Sequence, residues 1–466
     1  MAHQSCAADN PHNTEADLFR ARLENMIDMT HPLVRVAQVM PWDELIAAIG
    51  HTLPSIPEGA GRRPLPARLV IGLLYLKHAY NLSDEAVCQR WLENPYFQYF
   101  CGEVVFQTRL PCDNSSLTRY RMRMGEEGVE ELLAQTIAAA QNLKAITRSD
   151  LKRVVIDSTV QEKDVAHPTD SRLLETARAK LVEAARREHI DLRQSYQRVG
   201  PRLARRAGRY AHARQYKRMR RMIGKQRTIV GRLIRDIQRK ASPEALERLQ
   251  PILERAEQLR RQERKSKNKI YAWHAPEVEC ISKGKARNPY EFGVKVSIAI
   301  SAKKAFILGA RSYPGNPYDG DTLCDQHEQV GILTGVTPTH VLVDLGYRGR
   351  KVAGARVMHR GMPKHLSQED WQWLKRRASV EPVIGHLKAD HRMRRCFLKG
   401  ALGDAQNAVL AAAGYNLRWL MRWLRLFYAW VLTMLGGLKA LGRLNESPRH
   451  RENTESFGVV VQAAAM

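Results

Sequence analysis

Apolar residues in the first third of the chain recur at helical spacing. Leu69, Ile71, Leu73, Leu74 and Leu76 lie between Pro66 and Tyr80, predicting one helix that ends where Asn81, Leu82 and Ser83 punctuate the run. Ser83 is a good N-cap for a second helix through Trp91. A third begins after Asp113-Asn114-Ser115 and carries Arg119, Arg121 and Arg123. The pattern stays helical from about 31 to 148, after a polar, loose stretch over residues 1–30.

Past residue 148 the period shortens. Arg153 to Asp157 is a β-branched run ending in an acid, and Thr339 to Asp344 is another. Phe292 to Ile300 and Ala305 to Tyr313 read as an adjacent strand pair, and Ala355 to His359 as one more strand. A helix over about Asp321 to Leu333 and a long helical region around Glu381 would cover them. Strands mixed with covering helices predict an α/β layer. The gap after Asp157 is too long for a simple connection, so residues 171–270 read as an inserted helical subdomain. Gly403 to Leu438, rich in Ala, Leu and Trp, reads as a helical cover or subunit contact over about 396–440, and 441–466 as a disordered tail.

Charge changes the picture most. The chain of 466 residues is 44% hydrophobic, enough for real cores, yet carries a formal net charge of +27. A polyanion is the natural partner of such an excess. Arg193 to Lys240 concentrates it, with seventeen Lys or Arg and one acid, Asp236. Like charges this dense repel, so the segment is expected to be marginal until a polyanion neutralises it. The short N-terminal helices with arginines on the last resemble a helix-turn-helix DNA reader, although an ordinary helical bundle fits the same pattern.

Seven scattered cysteines without a CxxC pair point to a reducing compartment and away from a disulfide framework or zinc ribbon. Met1 to Asn13 lacks the apolar core of a signal peptide. The apolar run Leu426 to Leu438 is short of the ~20 residues that span a bilayer, so no membrane partner is expected. His386 and His391 lack zinc-ligand spacing.

The candidate chemistry lies in three carboxylates. Asp157 and Asp344 close apolar strands, and Glu381 stands between Arg377 and Lys388 within RRASVEPVIGHLK. Single acids at strand ends are commonly turn formers or helix caps. Three together in a basic chain suit Mg²⁺, which takes hard oxygen ligands and keeps several waters. Two such ions neutralise a phosphodiester and activate an oxygen nucleophile.

These residues carry a resemblance. VVIDSTV, VLVDLGYRGR and RRASVEPVIGHLKADHRMRRCFLKG are similar to the acidic motifs of bacterial insertion-sequence transposases, specifically the insertion sequence 5 family. HPTDSRLL at 167–174, KGKARNPYEFGVKVS at 283–297, PGNPYDGDTL at 314–323 and GDAQNAVLAAAGYNLRWL at 403–420 extend the likeness over nearly the whole chain. The resemblance implies an RNase H-like catalytic domain, which the chain's own pattern places over 149–395 as a mixed sheet with covering helices and a basic helical insertion after the first strand. The N-terminal part of the chain, from about 63 to 130, is similar to the family's helical domain and falls within the helical DNA-binding domain read over 31–148. The resemblance further implies a metal triad of Asp157, Asp344 and Glu381 holding Mg²⁺, with Mn²⁺ an alternative. Arg377, Lys388, Arg392, Tyr347, Arg348, Arg119, Arg121 and Arg123 would contact or support DNA. The family pattern runs Tyr, two residues, Arg, three residues, Glu, six residues, Lys; here Leu374 takes the tyrosine position, and neighbouring Trp373 is the stacking alternative. Asp321 stands where a histidine is expected, and Pro382 fits a helix start better than a helix middle.

The activity implied is cleavage of double-stranded DNA at terminal inverted repeats and joining of the 3′-OH ends to target DNA. The protein would work as a homodimer on paired ends, in the bacterial cytoplasm on the nucleoid, with no small-molecule substrate. Two alternatives stay open: a non-catalytic DNA-binding remnant, and an RNase H-like nuclease without strand transfer.

Overall fold

Side-chain caps set the starts of several N-terminal helices. The computed structural model describes residues 21–50, 65–282, 289–362 and 366–444. Helices α1 (Leu23–Met26), α2 (Pro32–Val39), α3 (Trp42–Ile49), α4 (Ala67–Ala79), α5 (Asp84–Glu93), α6 (Pro95–Phe100), α7 (Asn114–Met124), α8 (Glu127–Asn142) and α9 (Arg148–Leu151) come first. Ser83 caps α5 by accepting from the Ala86 N–H, and Asp113 caps α7 through Ser115. The loose stretch expected through residue 30 needs correction at its end, because Leu23 and Ile27 are buried; residues 1–20 lie outside the described residues.

The strands form one mixed sheet: β1 (Arg153–Lys163), β2 (Glu279–Ser282), β3 (Tyr290–Ser301), β4 (Ile307–Tyr313), β5 (His340–Leu342), β6 (Arg356–Met358) and β7 (Arg395–Cys396). β3 runs antiparallel to both β1 and β4, whereas β5 lies parallel to β1, and β6 parallel to β5. β2 and β7 extend the far ends of β3 and β1. The first acidic run does not end at its acid. β1 continues six residues beyond Asp157, because Val160 and the buried Gln161 keep pairing with β3.

Between β1 and β2 lie α10 (Asp170–Arg187), α11 (Val199–His212), α12 (Tyr216–Lys240) and α13 (Pro243–Arg261). They close on a core of their own that includes Leu174, Leu181, Val230, Leu233, Ile237 and Leu253. The charged stretch is therefore two amphipathic helices, with apolar faces inward and arginines outward.

After β4 come a 3₁₀ turn at Asp319–Thr322, α14 (Leu323–Thr334), and a second 3₁₀ turn at Leu345–Tyr347 that follows β5. Then α15 (Gln368–Arg376), a 3₁₀ turn at Arg377–Ser379 and α16 (Val380–Asp390) make up the region around Glu381. Pro382 falls in the first turn of α16, where its missing N–H has no helical partner to lose.

Helices expected over 396–440 are a single helix, α17 (Gly400–Leu444), which also continues past residue 440; positions 445–466 lie outside the described residues. α17 bolts the N-terminal helices to the sheet. Asn416 exchanges hydrogen bonds with the Ile307 backbone of β4 and donates to Thr136 of α8. Asn407 donates to Gln161 of β1, and Gln406 to the backbone of Arg121. Asp404 pairs with buried Lys163 at 2.9 Å. Gly414 lets α17 ride on α4, since a Cβ there would stand 2.7 Å from the His78 backbone. One apolar core consequently runs from Leu73 of α4 through Val155 of β1 to Leu410 of α17, so the N-terminal helices share the sheet's core rather than owning one. Each fully buried leucine in it stabilises the fold by about 1.5–3 kcal/mol relative to exposure.

Candidate active site

The three acids arrive from three elements. Asp157 lies on β1, paired with Ile298 of β3. Val155 pairs with Leu342 of parallel β5, so Asp344, two residues beyond Leu342, sits beside Asp157. α16 packs on β1 and delivers Glu381 from its first turn. The guanidinium of Arg377 joins all three. Its Nη2 donates to Asp157 Oδ2 at 3.0 Å and lies 3.5 Å from Asp344 Oδ2, while Nη1 lies 3.5 Å from Glu381 Oε1. Asp157 Oδ1 also accepts from the Ser158 N–H at 2.8 Å. The Asp157 side chain is mostly buried, whereas Asp344 is 50% and Glu381 66% exposed. The cluster opens to solvent on one side and is backed by β1 on the other.

A fourth acid stands behind the cluster. Asp319 accepts from Ser158 Oγ at 2.8 Å and pairs with buried Lys295 of β3, also at 2.8 Å. Tyr347 packs beside it, fully buried, with its hydroxyl driven well above the usual phenol range by burial and then by the charges of Asp157 and Asp319. The motif pattern points to Asp321 and leaves Asp319, two positions earlier, unmarked. The signal that could have found it is a lysine inside the apolar strand FGVKVSIAI, because a buried ammonium demands an acid. Asp321 instead pairs with exposed Arg350.

Other expected site residues divide into surface and interior. Arg119, Arg123 and Arg348 are exposed. Lys388 is half-buried, two turns along α16 from Glu381. Arg392 is half-buried over the Phe397 ring at 5.4 Å. Two expectations need correction. Arg121 is interior and doubly bonded to Asp84, and Tyr347 is interior, so neither presents itself to DNA. Leu374 is core, which explains an apolar residue there. Trp373 lies between Arg153 at 4.7 Å and Arg376 at 5.7 Å, so cations already flank its ring. His386 pairs with Asp390, and His391 bonds the His78 backbone, so each is engaged without a metal.

Three carboxylates gathered round one cation are the hard-oxygen donors that a divalent ion prefers, and the exposure of two of them leaves room for water ligands. As they stand, no three such side chains among the described residues are close enough to hold an ion directly, because the acids radiate around the guanidinium. The donor chemistry fits a divalent ion; the guanidinium stands where their charges converge.

Comparisons with known proteins fall on the same elements. Residues 21–123 match a family model described as a transposase domain (DUF772), and residues 258–417 match one described as a transposase DDE domain. The second span includes Asp344 and Glu381 and begins after β1 and Asp157. An uncharacterized protein, ORF8 in the nfe locus of Rhizobium meliloti, is 47% identical over 206 residues, covering 44% of this chain and 98% of that protein. No solved structure matches. Among the described residues, no helix is long and apolar enough to cross a membrane.

Proposed function

We propose that this chain, which belongs to the DDE transposases of bacterial insertion sequences, cuts double-stranded DNA at its element's terminal inverted repeats and joins the 3′-OH ends to a target. Asp157, Asp344 and Glu381 are the acids of this reading, and Arg377 and Lys388 its phosphate-side support. The carrying observation is the contact of one guanidinium with all three acids, drawn from a strand, a strand end and a helix. The strand order β4-β3-β1-β5-β6, antiparallel through β1 and parallel beyond it, supports an RNase H-like reading of the sheet, with α10–α13 as its insertion. The motifs quoted above favour the insertion sequence 5 family within the wider group.

In this mechanism the acids would hold divalent metal, Mg²⁺ by preference, which when bound activates the attacking oxygen and offsets charge on the leaving one. The chain's own groups do the rest. Asp157 is fixed by the Ser158 N–H and by β3 pairing, so the first acid is preorganised, while exposed Glu381 can adjust. Arg377 presents a planar fork that matches two phosphate oxygens, and Lys388 adds a point charge along α16. The outward arginines of α11 and α12 hold the duplex through its phosphates. Two protomers pair the ends, and the exposed Phe427, Trp430 and Met434 of α17 supply an apolar surface for that contact. The protein works in the cytoplasm on nucleoid DNA.

The test is a labelled duplex carrying one element end, incubated with Mg²⁺ and target plasmid. Wild type yields nicked and then joined species. Asp157→Ala, Asp344→Ala and Glu381→Ala each lower cleavage by about 10³-fold, the loss typical of removing a preorganised charge-stabilising group. Cleavage surviving in all three variants rejects the site. Cleavage by wild type without any joined species turns the reading towards a nuclease, and no cleavage towards a DNA-binding remnant.

A further inference from the structure

Arg377 is an unusual buried arginine. Its side chain is only 10% exposed, yet it makes one hydrogen bond within normal reach, to Asp157. Its contacts with Asp344 and Glu381 are 3.5 Å ion pairs, and its Nε has no partner among the described residues. A guanidinium has five N–H donors, and one withdrawn from water normally satisfies more of them. Arg121 in the same chain does so, with two bonds to Asp84 and one to Thr118. Arg377 is thus held by charge more than by hydrogen bonds, at a point within ion-pair reach of three acids.

We infer that Arg377 is the resident counter-cation of the acid cluster and that it competes with divalent metal for the same carboxylates until a DNA phosphate draws it away. This rests on the metal-site reading of Asp157, Asp344 and Glu381. Asp344 and Glu381 meet this guanidinium only at 3.5 Å and face solvent, so they have capacity for a further cation. An ion entering between the acids meets the guanidinium at Asp157 Oδ2, an oxygen that cannot serve both at full strength. The acids also have to turn from the guanidinium towards the ion, which exposed Asp344 and Glu381 are free to do. A phosphate offers Arg377 the bidentate acceptor that it lacks. Moving to the phosphate releases Asp157, so DNA binding strengthens metal binding, and by linkage metal strengthens DNA binding to the same degree. Such coupling would keep the empty protein from assembling a metal-loaded, cutting site away from DNA.

The measurement is Mn²⁺ affinity of the full chain without DNA, read from the EPR signal of the free ion. Wild type is compared with Arg377→Gln, Arg377→Lys and the acid variants Asp157→Asn and Asp344→Asn. Arg377→Gln is expected to bind Mn²⁺ about tenfold more tightly than wild type, within the usual range of coupling between sites. Arg377→Lys, whose single ammonium cannot reach all three acids, falls between them and covers the case in which the glutamine variant does not fold. Mixed-sequence duplex at low salt raises the Mn²⁺ affinity of wild type and leaves that of Arg377→Gln unchanged. If both arginine variants bind Mn²⁺ no more tightly than wild type while the acid variants lose it, Arg377 organises the acids instead, and the inference is overturned alone. If the acid variants bind Mn²⁺ as wild type does, the metal site itself is misassigned and both readings fall.

Discussion

Arg121 and Arg377 are both buried arginines facing carboxylates, and they do opposite things. Arg121 meets Asp84 in a two-pronged pair at 2.9 and 2.7 Å, and Lys77 reaches the same acid at 2.8 Å. Burial alone would raise the Asp84 carboxyl, but Arg121 and Lys77 outweigh it and hold the group well below the ordinary carboxylate range. Lys77 is pulled down to about 8 by burial and then by the Arg121 charge. That cluster is closed: three side chains from α4, α5 and α7 satisfy one another and pin the helices together. Arg377 faces three acids with one hydrogen bond, and two of those acids lie open to solvent. Saturation separates the two. A satisfied ion pair is structure, whereas an unsatisfied one beside solvent has capacity left for a ligand.

The sharpest way to break this comparison is to remove one partner from each cluster. Arg121→Met leaves Asp84 buried beside a single lysine and should cost about 3–5 kcal/mol of unfolding free energy, the usual penalty for orphaning a buried charge. Mg²⁺ should restore none of it. Arg377→Met should cost less, because two of its three partners, Asp344 and Glu381, are already exposed to solvent, and millimolar Mg²⁺ should recover the difference. Denaturant melts of both variants, with and without Mg²⁺, read this directly. Equal destabilisation with equal indifference to metal would erase the distinction.

A second test uses pH at the contact between the helical region and the site helix. His391 follows α16, packs against Tyr415 and bonds the His78 backbone at 3.0 Å, while His78 reaches back to the His391 carbonyl. Burial pulls His391 down to about 4 despite the His78 bond and the neighbouring Asp390 charge, with Arg418 and His386 adding to the fall. His78 moves the same way, chiefly through burial and then the charges of Lys77, Arg121 and Arg392. A depressed histidine favours the neutral folded state. The unfolded chain takes its proton near pH 6.5, so this stability is full above that pH and is lost as pH falls towards about 4. Between those limits His391→Asn should flatten the dependence by nearly one proton, about 1.4 kcal/mol per pH unit at most. An unchanged slope would show that His391 titrates as it does in the unfolded chain.

Much of this was legible from pattern because it is local. Alternating β-branched residues announced β1, β3, β4 and β5, Ser83 and Asp113 announced their caps, and the three acids stood out against a basic chain. What stayed hidden depends on distant partners. Arg121 looked like a DNA contact because it sits between Arg119 and Arg123, and its assignment turns on Asp84, 37 positions away. Asp319 gains meaning only from Ser158, 161 positions away, and from Lys295. α17 read as a cover, but its polar residues Asn407 and Asn416 are what connect it to the sheet. Helical and strand periods report which face is buried; they do not say what the buried polar groups meet.

The smallest expected effect sharpens the same contrast at the surface. On α11 and α12, Arg202, Arg205, Arg209, Arg218, Arg221 and Lys225 are exposed, and none of them forms an ion pair among the described residues. Asp236, the single acid of that stretch, is already engaged by Arg239 and Lys240. These are exposed cations without an acidic partner among the described residues, and they lack the burial that gives Arg377 its leverage. Each should bind phosphate independently, weakly alone and additively in number. Replacing Arg205, Arg209, Arg218 and Arg221 with glutamine should leave the melting curve almost unchanged, because exposed charges contribute little to stability. The slope of log affinity for duplex against log salt should become shallower by about 0.9 for every phosphate that is no longer neutralised. Fluorescence anisotropy across a salt series measures it. A slope identical to wild type would remove α11 and α12 from the DNA path, and the excess charge would need another surface to act on.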